Sequence, residues 1–112
     1  MKYNHVYTRY VLVEKFTVDF AFKIQLHNAL VISRQNKNIM SDVFINLVSE
    51  MIKTELVKPR FQNITIETCG ELFHAAFASC LKGFKHYKDN GDIQKCYKYF
   101  KTVIYHGFFY QI

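Results

Sequence analysis

The sequence predicts an all-α domain, a small bundle of about four helices, and three observations lead there. Apolar residues recur at the i, i+3, i+4, i+7 spacing of a helix in several separate segments. Proline occurs once and glycine four times in 112 residues, so strong breaks are few. The one stretch that alternates like a strand, residues 7–17, has no second strand elsewhere to pair with. The whole chain, 1–112, reads as a single domain with one modest core.

Each element follows in order. Residues 1–13 read as an irregular lead rich in cations and rings (Lys2, Tyr3, His5, Tyr7, Arg9, Tyr10). A first helix is expected over about 14–33, with Phe16, Phe20, Lys23, Ile24, His27 and Leu30-Val31 at helical spacing. A second is expected over about 40–57. Met40, Val43, Phe44, Leu47, Val48, Met51 and Ile52 form its stripe, and Asp42, Asn46, Glu50 and Lys53 fall on the other face. Ser41 is placed to cap it. Pro59 lacks an N–H and pushes Lys58 out of the helical region, so the chain breaks there.

A third helix is expected over about 65–83. Cys69, Leu72, Phe73, Ala76, Phe77, Cys80 and Leu81 make its stripe, and Phe84 closes it. Thr65 or Thr68 caps its start, and Glu67 or Glu71 suits the helix dipole. Ala75, Ala76 and Ala78 allow close helix packing. His86 to Asp92 reads as a loop, where Asp-Asn-Gly accepts left-handed geometry at low cost. The last helix is expected over about 93–111, with Ile93, Cys96, Tyr97, Phe100, Val103, Ile104, Gly107 and Phe108 inward.

Composition narrows the function. Half the residues are hydrophobic and 17% are aromatic, which excludes a disordered tail or a repeat protein. The longest apolar runs, such as Ala29-Leu30-Val31-Ile32, are far below the roughly 20 residues of a membrane span. The start, Met1 to His5, lacks the basic-then-apolar pattern of a signal peptide, so an intracellular, cytoplasmic location is expected and no membrane partner. Cys69, Cys80 and Cys96 form no CxxC pair and fall on apolar stripes, where a free thiol acts as a small hydrophobe. No catalytic or nucleotide-binding motif is present, and the five histidines are scattered. His74 lies beside Phe73 and Phe77, a setting for a structural histidine. The expectation is a protein that is not an enzyme and uses no cofactor or metal.

The net charge of +6 favours a polyanionic partner, most often nucleic acid, although such a balance also occurs in proteins without one. The informative segment is Lys82 to Tyr110, where Lys82, Lys85, Lys88, Lys95, Lys98 and Lys101 interleave with rings. On a helix, Lys98, Thr102, Tyr105 and Phe109 share a face, flanked by Lys95, Tyr99, Lys101 and His106. Exposed rings at this density call for something to cover them. Lysines neutralise phosphates and rings stack on bases, which suits single-stranded or melted nucleic acid. Tyr and Phe are equally at home in a protein interface, so both partners stay open on the residues alone.

The order of features resembles region 2 of the sigma-70 family, the promoter-recognition subunits of bacterial RNA polymerase. Ala76-Phe77-Ala78-Ser79-Cys80-Leu81-Lys82-Gly83-Phe84 is similar to that family's "GL-x-x-A-x-x-x-F" helix end. Cys96-Tyr97-Lys98-Tyr99-Phe100-Lys101-Thr102-Val103-Ile104 is similar to its "F-S-T-Y-A-x-x-x-I" helix. Lys2-Tyr3-Asn4, Arg34-Gln35-Asn36 and the ending Tyr99 to Ile112 resemble the compact late sigma factors of T-even-like bacteriophages.

The resemblance implies a sigma domain 2 fold in a bacterial host cell and two partners. One is RNA polymerase core, through the β′ clamp helices, met by Gly70, Glu71, His74 and Ala78. The other is promoter DNA, the melted non-template strand of an AT-rich −10-type element. Tyr99 would stack on a flipped base, and Lys95, Lys98 and Lys101 would hold phosphates. Lys88, Thr102, Tyr105, His106 and Phe109 complete the implied DNA-binding set, and a phage co-activator is a further implied partner. Three places depart from the family. Leu72 and Phe73 stand where many members are polar. Cys96 replaces the phenylalanine that opens the last helix. Thr102 and Val103 replace the paired tryptophans that wedge the duplex, which leaves Tyr105 as the candidate wedge. The sequence shows neither a following basic helix nor a sliding-clamp tail, which implies a minimal factor or one completed by other subunits.

Overall fold

The computed structural model describes residues 18–111, with side chains through Phe109. The lead over residues 1–13 and the expected start of the first helix, with Phe16, lie outside the described residues. Four α-helices follow: α1 (Phe20–Gln35), α2 (Asp42–Leu56), α3 (Ile66–His86) and α4 (Ile93–Gln111). A short 3₁₀ turn, Pro59–Phe61, joins α2 to α3, and no strand occurs among the described residues. The all-α bundle expected from the sequence is the fold.

The helix starts are set by side-chain caps. Asp19 accepts from the Phe22 N–H at 2.9 Å, Ser41 from Phe44 at 3.1 Å and Thr65 from Thr68 at 3.1 Å. Asp92 accepts from the Lys95 N–H at 3.0 Å and so opens α4. Each such cap is worth about 1 kcal/mol. Pro59 sits in the first turn of the 3₁₀ segment, where its missing N–H leaves nothing unpaired.

The register of α1 differs from the one expected. Its buried residues are Phe22, Leu26, Ala29, Leu30 and Ser33, while Phe20 is exposed. Ile24, Val31 and Ile32 make this helix apolar on several sides, so two stripes compete in the sequence. The Asp19 cap and the packing of Leu26 and Leu30 select one of them. Val43 and Leu81, expected in the core, are likewise exposed. Each borders its helix's inner stripe, and Phe44 and Cys80 beside them take the buried places.

The core is built on aromatic edges. Phe44 of α2 meets Phe84 of α3 and Phe100 of α4, with ring centroids 5.5 and 5.2 Å apart. Phe61, on the 3₁₀ turn, meets Phe108 at 5.2 Å. Full burial of such a side chain contributes about 1.5–3 kcal/mol.

α3 and α4 form the closest pair, an antiparallel hairpin. They touch backbone to backbone where Gly107 meets Ala75 and Ala76: a Cβ on Gly107 would lie 2.5 Å from the Ala76 Cα. α3 runs through Gly83, the expected end, to His86. Gly83 is there for approach rather than termination, since its Cα faces Val103 and Tyr99 of α4. Arg34 of α1 then closes the helix end. Its Nη2 donates to the Phe84 and Tyr87 carbonyls at 2.6 and 2.7 Å, and its plane covers the Phe84 ring at 4.3 Å.

Candidate nucleic-acid interface

The hairpin loop, Tyr87 to Asp92, is fixed at several points. Gly91 takes a φ of 88°, a backbone shape glycine adopts without strain. Asn90 accepts from the Asp92 N–H at 3.0 Å. The Asp89 carboxylate holds His27 of α1 at 2.9 and 3.1 Å. The loop therefore delivers α4 at a set angle beside α3.

Tyr99 lies half-buried where the two helices part. Its hydroxyl donates to the Gly83 carbonyl at 3.2 Å. Its ring packs on Tyr87, centroids 4.6 Å apart, and edge-on to Phe100 at 5.2 Å. Tyr87 beneath it is buried, and its hydroxyl has no hydrogen-bond partner among the described residues. Burial, followed by the nearby Cys96, Asp89, Asp92 and Tyr99, pushes the Tyr87 hydroxyl up to about 12.

Two shallow hollows flank Tyr99. One, about 380 Å³, runs between the helices, with Ser79, Lys82 and His86 on the α3 side and Thr102, Val103 and His106 on the α4 side. The other, about 510 Å³, lies at the start of α4 between Asp92, Gln94, Lys95 and Lys98. Tyr99 and Thr102 line both. Asp92 is the one carboxylate lining either hollow, and it is engaged as the α4 cap. The ion pairs among the described residues are His27–Asp89 and Lys58–Glu55, so the groove lysines take part in neither. The result is a cationic groove with an aromatic floor.

Of the expected DNA-binding residues, the structure gathers Lys95, Lys98, Tyr99, Thr102 and His106 around these hollows. Lys88 is exposed on the hairpin loop, and Lys101, Tyr105 and Phe109 line neither hollow. Tyr105 turns the other way. Its hydroxyl donates to the Glu55 carboxylate of α2, and its ring packs edge-on to Phe108 at 5.3 Å, with Arg60 over it at 5.4 Å. Phe109, exposed, stays on that flank, 5.8 Å from the Tyr105 ring. The Tyr105 hydroxyl is held protonated far above the usual range, by burial first and then by Glu55.

The implied DNA-binding set left out Ser79, Lys82, Gly83 and His86, although Lys82 and His86 belong to the lysine-and-ring segment. A signal existed: Lys82 and His86 are four apart, on one face of the helix that must pack against α4. Of the expected polymerase-binding residues, Glu71 and His74 are exposed on the first half of α3 and Ala78 just past its middle, and Gly70 beside Glu71 has open space where a Cβ would point. α3 thus exposes acids near its start (Glu67, Glu71) and basic side chains near its end (Lys82, Lys85, His86), each suited to the dipole there.

Cys80 and Cys96 are buried, and burial pushes both thiols up to about 12, so neither is a ready nucleophile. Among the described residues no group of three or more His, Cys, Asp or Glu is placed to hold a metal ion. Among them also, no helix is long and apolar enough to cross a membrane. No family model, no curated protein and no solved structure matches the chain.

Proposed function

We propose that the chain is a sigma-like transcription initiation factor. In this reading the outer face of α3 that carries Gly70, Glu71, His74 and Ala78 docks on the β′ clamp helices of RNA polymerase. The groove around Tyr99 then holds the melted non-template strand of an AT-rich −10-type promoter element. The observation that carries it is the placement of Tyr99 between two hollows rimmed by Lys82, His86, Lys95, Lys98 and His106. Cations for phosphates and a ring for a base then meet at one place, and each base–ring stack is worth roughly 1–3 kcal/mol. That offsets part of the few kcal/mol needed to extrude a base.

Transcription from an AT-rich promoter with core polymerase tests this. The full chain should stimulate specific initiation, and Tyr99→Ala should reduce promoter opening more than core binding. If opening survives Tyr99→Ala unchanged, Tyr99 does not read the strand. One observation favours a second reading, a sigma-mimicking inhibitor or adaptor of host polymerase: Tyr105, the candidate wedge, is engaged with Glu55. In the same assay that reading gives loss of transcription by the host factor with no new start site.

A further inference from the structure

From the α3 wall of the groove we infer that Lys82 and His86, with His106 opposite, form a phosphate seat for a single nucleic-acid strand. The strand then runs between α3 and α4, past Tyr99, instead of lying over the outer face of α4. This rests on the reading of Tyr99 as a base-stacking residue, and it adds the path and a second helix to that site.

Three observations support the path. The first is what the end of α3 requires. Exposed cations in a last helical turn ordinarily offset the negative pole of the helix dipole. Here that pole is already served from within. Arg34 occupies the Phe84 and Tyr87 carbonyls, and Gly83 accepts from both the Tyr99 hydroxyl and the Tyr87 N–H. Lys82 and His86 are exposed and are not needed to close the helix.

The second is charge complementarity along the groove. Lys82, His86 and His106 rim the hollow between the helices without a carboxylate among its lining residues. The neighbouring hollow continues the track with Lys95 and Lys98, and its Asp92 is spent on the α4 cap. Along the two hollows a polyanion meets the basic side chains of Lys82, His86, Lys95 and Lys98, against the single lining carboxylate of Asp92 at the start of α4.

The third is the shape of the floor. Gly83 lets Val103 and Tyr99 approach α3, leaving an apolar and aromatic surface between the cationic rims. A base fits such a floor, while a phosphate fits the rim.

The experiment is binding of a fluorescent AT-rich single strand to the full chain, followed by anisotropy across a salt series. Folding of each variant is checked by circular dichroism and thermal melting. The double variant Lys82→Ala/His86→Ala should bind about tenfold more weakly at low salt. Its salt dependence should be shallower, by about 0.7 in log–log slope for each phosphate that is no longer neutralised. Lys37→Gln, which removes one lysine charge outside both hollows, should stay within about twofold of the parent. If the double variant binds like the parent while Lys98→Ala and Tyr99→Ala weaken binding, the strand takes another path; the inference fails and the reading of Tyr99 stands. If the parent does not bind at low salt, or no variant weakens it, both fail. Equal displacement of the strand by poly-glutamate and by unlabelled strand would overturn the assignment of nucleic acid as occupant.

Discussion

On one flank of α4, Tyr99 forms the floor of an open cationic groove; on the other, Tyr105 reaches across to the buried carboxylate of Glu55. The two residues are six apart on one helix and chemically identical. Tyr99 keeps part of its ring exposed, and its hydroxyl takes a backbone carbonyl that α3 offers at Gly83. Tyr105 satisfies a carboxylate that is only 3% exposed and whose same oxygen, Oε1, Lys58 holds at 2.8 Å. The difference lies in what faces them. α3 presents glycine and cations to one flank, and the end of α2 presents a buried acid to the other. A ring beside a cationic hollow can receive a ligand, and a ring tied to a buried acid is part of the frame.

The largest effect comes from breaking both flanks together. Gly107→Ala places a Cβ 2.5 Å from the Ala76 Cα, so the hairpin must spread. Overpacking of this kind costs about 3 kcal/mol, and thermal melting should show it together with weaker strand binding. Retained stability would mean that the helices cross with slack.

Next in size is Tyr105→Phe, which removes one of the partners of the Glu55 carboxylate. Stability should fall by about 2 kcal/mol in a urea titration, and strand binding should stay within about twofold. A loss of binding without a loss of stability would place Tyr105 in the site and erase the contrast between the flanks.

The smallest effect is expected at Tyr87→Phe. Its hydroxyl is buried without a partner, so removing it should leave stability at neutral pH within about 1 kcal/mol, or raise it. The pH response should differ more. Folding raises the Tyr87 value from 10.0 to about 12, so the fold favours the neutral phenol. That contribution is fully present below pH 10 and is lost as pH rises from there through about 12. The parent should therefore lose stability across that window, and Tyr87→Phe should lose less. Parallel curves would show that folding leaves the Tyr87 hydroxyl unshifted.

Much of the fold could be read in the residues. Ser41, Thr65 and Pro59 mark their boundaries by local chemistry, and the stripes of α2, α3 and α4 locate most of the core. α1 was ambiguous because its apolar residues surround the helix. The Tyr99 half of the groove was legible too, as alternating lysines and rings within one helix. The α3 half was not, because it depends on how two helices cross, and that is set by missing side chains at Gly83 and Gly107. Tyr105 looked equivalent to Tyr99 for a similar reason: its partner is distant in sequence. One clue pointed to it. Glu55 follows Met51 and Ile52 at helical spacing, and an acid on an apolar stripe needs a donor when buried.

The contrast between the flanks is tested most directly with 2-aminopurine placed at successive positions of an AT-rich strand. Binding of the parent chain should quench the probe at one position through stacking. Tyr99→Leu should abolish that quenching, while Tyr105→Phe should preserve it. Quenching that survives Tyr99→Leu, or that disappears with Tyr105→Phe in a folded protein, would contradict the account.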